Sequence, residues 1–146
     1  RIHPWFAWKL KSDGMFIYAL SSIPKENIKG KGEKKWPEVE WSDGKYRGCG
    51  TLIYPGPDYQ VIPGIRLANL RDGLEDYEYF HILKELSEKL NLARNKTLIE
   101  KVNKELEIEP EIIRNIYEWT KNSSLLNKKR ERIAELIEKI KKEKKK

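Results

Sequence analysis

Cysteine, methionine, glutamine and long apolar runs are all scarce in this chain of 146 residues. The single cysteine, Cys49, cannot close an intramolecular disulfide, nor supply the several thiolates of a structural zinc site. A small secreted scaffold stapled by disulfides is thereby excluded. The two histidines, His3 and His81, stand far apart with no ligand spacing, so no metal site is expected. Cys49 has no evident activating base and reads as a packed thiol. No apolar stretch approaches the roughly 18 residues of a membrane-spanning helix, so no membrane segment is expected. Hydrophobic residues make up 38% of the chain and charged residues 36%, the latter well above the usual quarter or so, which allows only a modest core.

The formal net charge of +7 raises the question of a nucleic-acid partner. Residues 127–146 contain ten Lys and Arg against four Glu, whereas the preceding residues contain 20 basic and 19 acidic side chains. The basicity belongs to the tail. Nucleic-acid binding needs a basic face across a folded domain. A lysine-rich tail instead reads as a solvated helix end that complements the helix dipole. No nucleic-acid partner is expected; the rival reading is a helical module whose basic tail binds nucleic acid or a protein.

Along the chain, residues 4–10 read as a short helix with Pro4 in its first turn. Ser12-Asp13-Gly14 is a turn signal, and residues 15–20 (MFIYAL) form a continuous apolar run that reads as a strand buried on both faces. Residues 51–54 are the other strand candidate, stopped by Pro55. The stretch from 21 to 63 reads as a long loop too aromatic for a disordered linker. Residues 65–90 read as one long helix. Its first apolar stripe is Leu67, Leu70, Leu74 and Tyr77, and a second, rotated stripe is Tyr79, Ile82, Leu83, Leu86 and Leu90. Further helices are expected over 97–106, 110–120 and 123–142, the last capped by Ser123 or Ser124. One buried strand without partners, a long loop and a long helix make the last strand–loop–helix unit of a larger α/β fold. The chain is therefore expected to be a C-terminal fragment, mostly helical by content, exposing apolar surface on Trp5, Phe6 and residues 15–20.

The string GCGTLIYPG at 48–56, followed by IRL at 65–67 and RDGLEDYEY at 71–79, resembles the C-terminal part of glycoside hydrolase family 123 and the related domain of unknown function 4091. WFAW at 5–8 and GMFIYA at 14–19 resemble the same family's stretch leading into its final barrel strand. The resemblance implies an α/β fold, a (β/α)8 TIM barrel. Residues 1–92 would supply helix 7, strand 8, a long loop 8 and helix 8, and residues 93–146 a trailing helical segment. It also implies hydrolysis of β-linked N-acetylgalactosamine with retention, the substrate's own acetamido oxygen attacking the anomeric carbon. One carboxylate orients that group and an adjacent glutamic acid protonates the leaving oxygen, an exception to the usual pair of flanking carboxylates. In the family this Asp-Glu pair stands on an earlier strand, and it is not in this chain. The partners implied are a carbohydrate carrying β-linked N-acetylhexosamine and the missing N-terminal part of the same protein. No cofactor is implied. Cys49, Gly64 and Tyr18 replace the Asp, Ser and Trp of the family pattern, which leaves the exact substrate open. A homologue that keeps the fold but only binds carbohydrate is the alternative.

Tyr18 falls near the end of the expected last strand, where barrel enzymes hold substrate, and reads either as a sugar-stacking ring or as a packed tyrosine. Trp36 and Trp41, in the loop expected over that face, read as walls of the sugar site or as loop packing. Glu75, Asp76 and Glu78 look like a glycosidase acid cluster. On a helix, however, Glu75 and Asp76 point about 100° apart, and Arg71 faces Glu75 at i,i+4. Barrel helices form the outer ring, away from the chemistry. Arg66, Arg71, Asp72, Glu75 and Asp76 are therefore expected to form a structural network of ion pairs and caps. No catalytic residue is expected in this chain, and alone it should be inactive.

Overall fold

Four helices stand in a computed structural model that describes residues 1–17, 20, 51–55, 60–90 and 95–143; in the last three, apolar residues three and four apart alternate with charges. The helices are α1 (Ile2–Leu10), α2 (Ile65–Glu88), α3 (Lys96–Leu106) and α4 (Ser123–Glu143), and two short strands, β1 (Ile53–Pro55) and β2 (Val61–Pro63), precede α2. The described chain is mostly helical. It divides into two compact units, one formed by Arg1–Met15 with Asp72–Lys146 and the other by Phe16–Arg71.

The first unit holds a single core built from α1, α2, α3, α4 and the segment between α3 and α4. Trp5, Phe80, Leu83, Val102, Ile113, Ile133 and Ile140 are its most deeply buried apolar members. Each such side chain contributes about 1.5–3 kcal/mol on leaving water. α3 packs against α4, and α3 offers Leu98 and Val102, one turn apart, to the core. α4 runs Leu126, Ile133, Ile137 and Ile140 along its inner face, with Leu125 and Leu136 beside them. Its N-terminus is held by Asn122, whose Oδ1 accepts from Ser124 N at 3.0 Å, in place of the expected serine cap.

On α2 the buried face is Gly73, Asp76, Phe80 and Leu83, a narrow band at helical spacing. It lies between the two apolar stripes read from the sequence, and Leu74 and Ile82 from those stripes are exposed. Gly73 is fixed by contact: a Cβ there would stand 2.3 Å from the Arg1 carbonyl oxygen. Trp5 is buried against Phe80, the two rings edge to face at 5.0 Å, so the exposure expected of it is not found. Phe6 is half-buried, edge to face with Trp119 at 5.6 Å.

The segment expected as a helix over 110–120 is a tight loop. Ile113 bridges Trp119, and Thr120 N donates to the Ile112 carbonyl at 2.8 Å. Asn115 Oδ1 accepts from Tyr117 N (2.8 Å) and Glu118 N (3.0 Å), so its side chain outcompetes the helical bonds those amides would otherwise make.

In the second unit β1 and β2 pair antiparallel, with Tyr54 opposite Ile62. β2 falls inside the expected loop and is the strand that the 53–55 segment pairs with. Gly64 N donates to the Leu52 carbonyl at 2.8 Å, and a Cβ on Gly64 would stand 2.9 Å from that same oxygen. Glycine, and not the serine of the family pattern, suits this approach. The strand expected over 15–20 is not formed at residues 15–17 or 20; Phe16 is 86% exposed, and the Leu20 carbonyl accepts from Leu52 N at 2.7 Å. Residues 18 and 19 lie outside the described residues.

Candidate functional site

Two polar clusters stand inside the first unit, and both are built from side chains distant in sequence. The first centres on Asp76, 1% exposed in the middle of the inner face of α2. Its Oδ2 accepts from Arg1 Nε at 2.7 Å and from Trp5 Nε1 at 2.9 Å. Its Oδ1 accepts from Arg1 Nη2 at 3.2 Å and from Arg130 Nε. Arg130 also donates through Nη2 to the Asp72 carbonyl at 3.0 Å, stands 3.5 Å from Glu75 Oε2, and lies 5.5 Å above the Tyr79 ring. Arg1 reaches Asn127 Oδ1 at 2.6 Å. One carboxylate thus ties the start of α1 and the middle of α4 to α2. A buried ion pair of this kind holds only when every oxygen is satisfied, as these are.

The second cluster centres on Lys129, whose side chain is fully buried in α4. Its Nζ donates to the Glu107 carbonyl (2.8 Å) and Glu109 Oε1 (2.9 Å), and stands 3.1 Å from Glu105 Oε2. Arg132 bridges the same two carboxylates at 2.9 Å each. Burial pushes the Glu105 carboxyl upward, but the hydrogen bonds from Arg132 and Lys129 outweigh it and hold the group below the ordinary glutamate range.

The end of α3 shows what these long side chains do together. Three successive carbonyls, those of Leu106, Glu107 and Ile108, accept from Trp8 Nε1 (2.8 Å), Lys129 Nζ (2.8 Å) and Lys9 Nζ (3.2 Å). Lys9 also donates to the Ile113 carbonyl. The last carbonyls of a helix have no partners within it, and donors there oppose the negative end of its dipole.

Chemically, the Asp76 cluster is closed. Both carboxylate oxygens carry donors and Asp76 itself is only 1% exposed, which leaves it unavailable to a substrate. Of the other expected site residues, Arg66 and Arg71 lie exposed in the first two turns of α2, and Asp72 and Glu75 stand beside Arg130. Tyr18, Trp36, Trp41 and Cys49 lie outside the described residues. Among the described residues no group of three or more His, Cys, Asp and Glu is placed to hold a metal ion, and no helix is long and apolar enough to cross a membrane.

Sequence reasoning missed Arg1, Trp5, Lys129 and Arg130 as partners. A signal for the last two exists: Leu126 and Ile133 frame a turn of α4 whose inner positions can only be 129 and 130. A stripe that must be buried there is filled by two cations, which demands anions opposite. A comparison of the chain with family models, with curated proteins and with solved structures returns no match in any of the three.

Proposed function

We propose that this chain is the C-terminal part of a glycoside hydrolase resembling family 123. In this reading it supplies helix 7, strand 8, loop 8 and helix 8 of a (β/α)8 barrel, with residues 93–146 as trailing helices. The observation that carries the reading is the string RDGLEDYEY at 71–79, specific in sequence and folded within α2. Its Asp76 is consumed in holding α1 and α4, while Glu75 and Glu78 face outward. Those acids serve docking, and the acid–base chemistry falls to an Asp-Glu pair elsewhere in the protein. There the acetamido oxygen of a β-linked N-acetylgalactosamine attacks the anomeric carbon, one carboxylate orients the acetamido group, and the neighbouring glutamic acid protonates the departing oxygen. Tyr18, Trp36 and Trp41 are the aromatic groups of this chain proposed to meet the sugar.

The basic tail is put to structural use in part. Lys129, Arg130 and Arg132 are committed to carboxylates of the same unit, which removes three cations from any phosphate-binding face.

The test is the coding sequence upstream of Arg1. The reading predicts an open frame with an adjacent Asp-Glu at the end of a predicted strand. A stop codon followed by a start signal immediately before Arg1 would overturn it.

A further inference from the structure

We propose that Asp13 is a modification site: it isomerises to isoaspartate through the amide of Gly14, while the fold withholds the same reaction from Asp72-Gly73. The inference does not rest on the glycosidase reading. Asp-Gly pairs stand at 13–14, 43–44 and 72–73, and the second lies outside the described residues. Glycine on the C-terminal side favours this chemistry, because no Cβ hinders the attacking nitrogen or restricts its backbone.

The reaction needs only water. The Gly14 amide nitrogen attacks Cγ of Asp13 in its carboxylic acid form. The C–OH bond breaks, and the hydroxyl leaves with the amide proton as water. Water then opens the five-membered succinimide. Addition at Cγ restores aspartate, whereas addition at the main-chain carbonyl carbon leaves the chain linked through Cγ, with a free α-carboxylate. That carboxylate is a methyl acceptor for an isoaspartyl methyltransferase: its oxygen takes the methyl group of S-adenosylmethionine, and S-adenosylhomocysteine departs.

The first pair is free to react. α1 closes at Lys11, a left-handed residue (φ 53°), and its last bonds run from Lys11 N to the Trp8 carbonyl and from Ser12 N to the Ala7 carbonyl. Asp13 and Gly14 follow, both exposed. Among the described residues the Asp13 carboxylate makes no hydrogen bond or ion pair, and the Gly14 amide donates to no carbonyl. A Cβ on Gly14 would meet nothing within 4 Å, so the ring has room to close. The pair in α2 is locked. Gly73 lies inside the helix, where its amide belongs to the ladder and cannot turn to the preceding side chain without breaking it. The Asp72 carbonyl accepts from Arg130, and the Arg1 carbonyl oxygen crowds Gly73. Asn122-Ser123, the related asparagine pair, is held as well, since Asn122 Oδ1 caps α4 at Ser124 N.

The experiment ages the full chain for weeks at neutral pH, folded and, in parallel, in guanidinium chloride. Isoaspartate is then read at each Asp-Gly pair separately, by peptide mapping and by methylation with an isoaspartyl methyltransferase. In the folded chain Asp13 should exceed Asp72 by roughly tenfold or more, the factor that a helix opening of about 1.4 kcal/mol imposes. In denaturant the two sites should react at similar rates, because the dipeptide is the same. Gly14→Val should suppress isoaspartate at Asp13 and leave the unfolding midpoint unchanged, since its Cβ meets open space. Absence of isoaspartate at Asp13, equal yields at Asp13 and Asp72 in the folded chain, or the same preference for Asp13 in denaturant would overturn the inference.

Discussion

The indole of Trp5 donates to a carboxylate oxygen of Asp76 across 2.9 Å, and both residues are 1% exposed. An acid in this position is a structural part whose removal is felt throughout the first unit. Asp76→Ala leaves two guanidinium groups and an indole N–H facing an empty space. Breaking a buried ion pair from one side costs about 3–5 kcal/mol, and urea unfolding followed by circular dichroism should show that loss. Asp76→Asn keeps the shape and one acceptor oxygen, and should cost less.

Gly73 marks the closest approach of two backbones in the unit. Gly73→Ala places a Cβ 2.3 Å from the Arg1 carbonyl oxygen, and backbone on both sides leaves little room to yield. The helical propensity gained, about 1 kcal/mol, is set against an overpacking cost of about 1–3 kcal/mol. The thermal midpoint should fall, although the same substitution in an open helix raises it.

Lys129→Met fills the buried volume but strands the Glu107 carbonyl and leaves Glu109 Oε1 to Arg132 alone. The expected loss is about 3 kcal/mol, the low end for a broken buried pair, because Arg132 still faces both carboxylates. Lys129→Met combined with Glu105→Gln should be less destabilising than the two separate losses added together, a coupling that a double-mutant cycle measures.

Acid should loosen the junction of α3 and α4 through Glu105. Its carboxyl is held below its unfolded value, so the stability it contributes is complete above the ordinary glutamate value of about 4.3. That contribution is lost as pH falls through the lower, folded value. Denaturant midpoints measured from neutral to strongly acid pH should therefore decline on the acid side, and Glu105→Gln should flatten that decline.

Three helices were legible because each carries apolar residues at helical spacing over two turns or more, and the first because Pro4 stands at the start of a close apolar cluster. α2 and α4 begin and end within a few residues of their expected limits. The segment 110–120 misled for a local reason. Pro110 and the spacing of Ile112, Ile113, Ile116 and Tyr117 imitate a helix, but Asn115 closes an Asx turn that no periodicity reveals. β2 was hidden by its three-residue length and by Pro63. Asp76 is a different case. Its acidic neighbourhood looked like a glycosidase cluster and helix geometry pointed instead to a structural network, yet the cations that complete it stand 75 and 54 residues away, and helical spacing reports only neighbours within a turn.

Hydrolysis of an aryl N-acetyl-β-galactosaminide, compared between this chain and the longer polypeptide proposed to contain it, bears on the reading at its root. The longer protein should turn the substrate over, with kcat unchanged by Glu75→Gln or Glu78→Gln, and the chain alone should show none. Turnover by the isolated chain, or loss of turnover in either glutamine variant, would contradict the assignment of these acids to structure and of the chemistry to residues elsewhere.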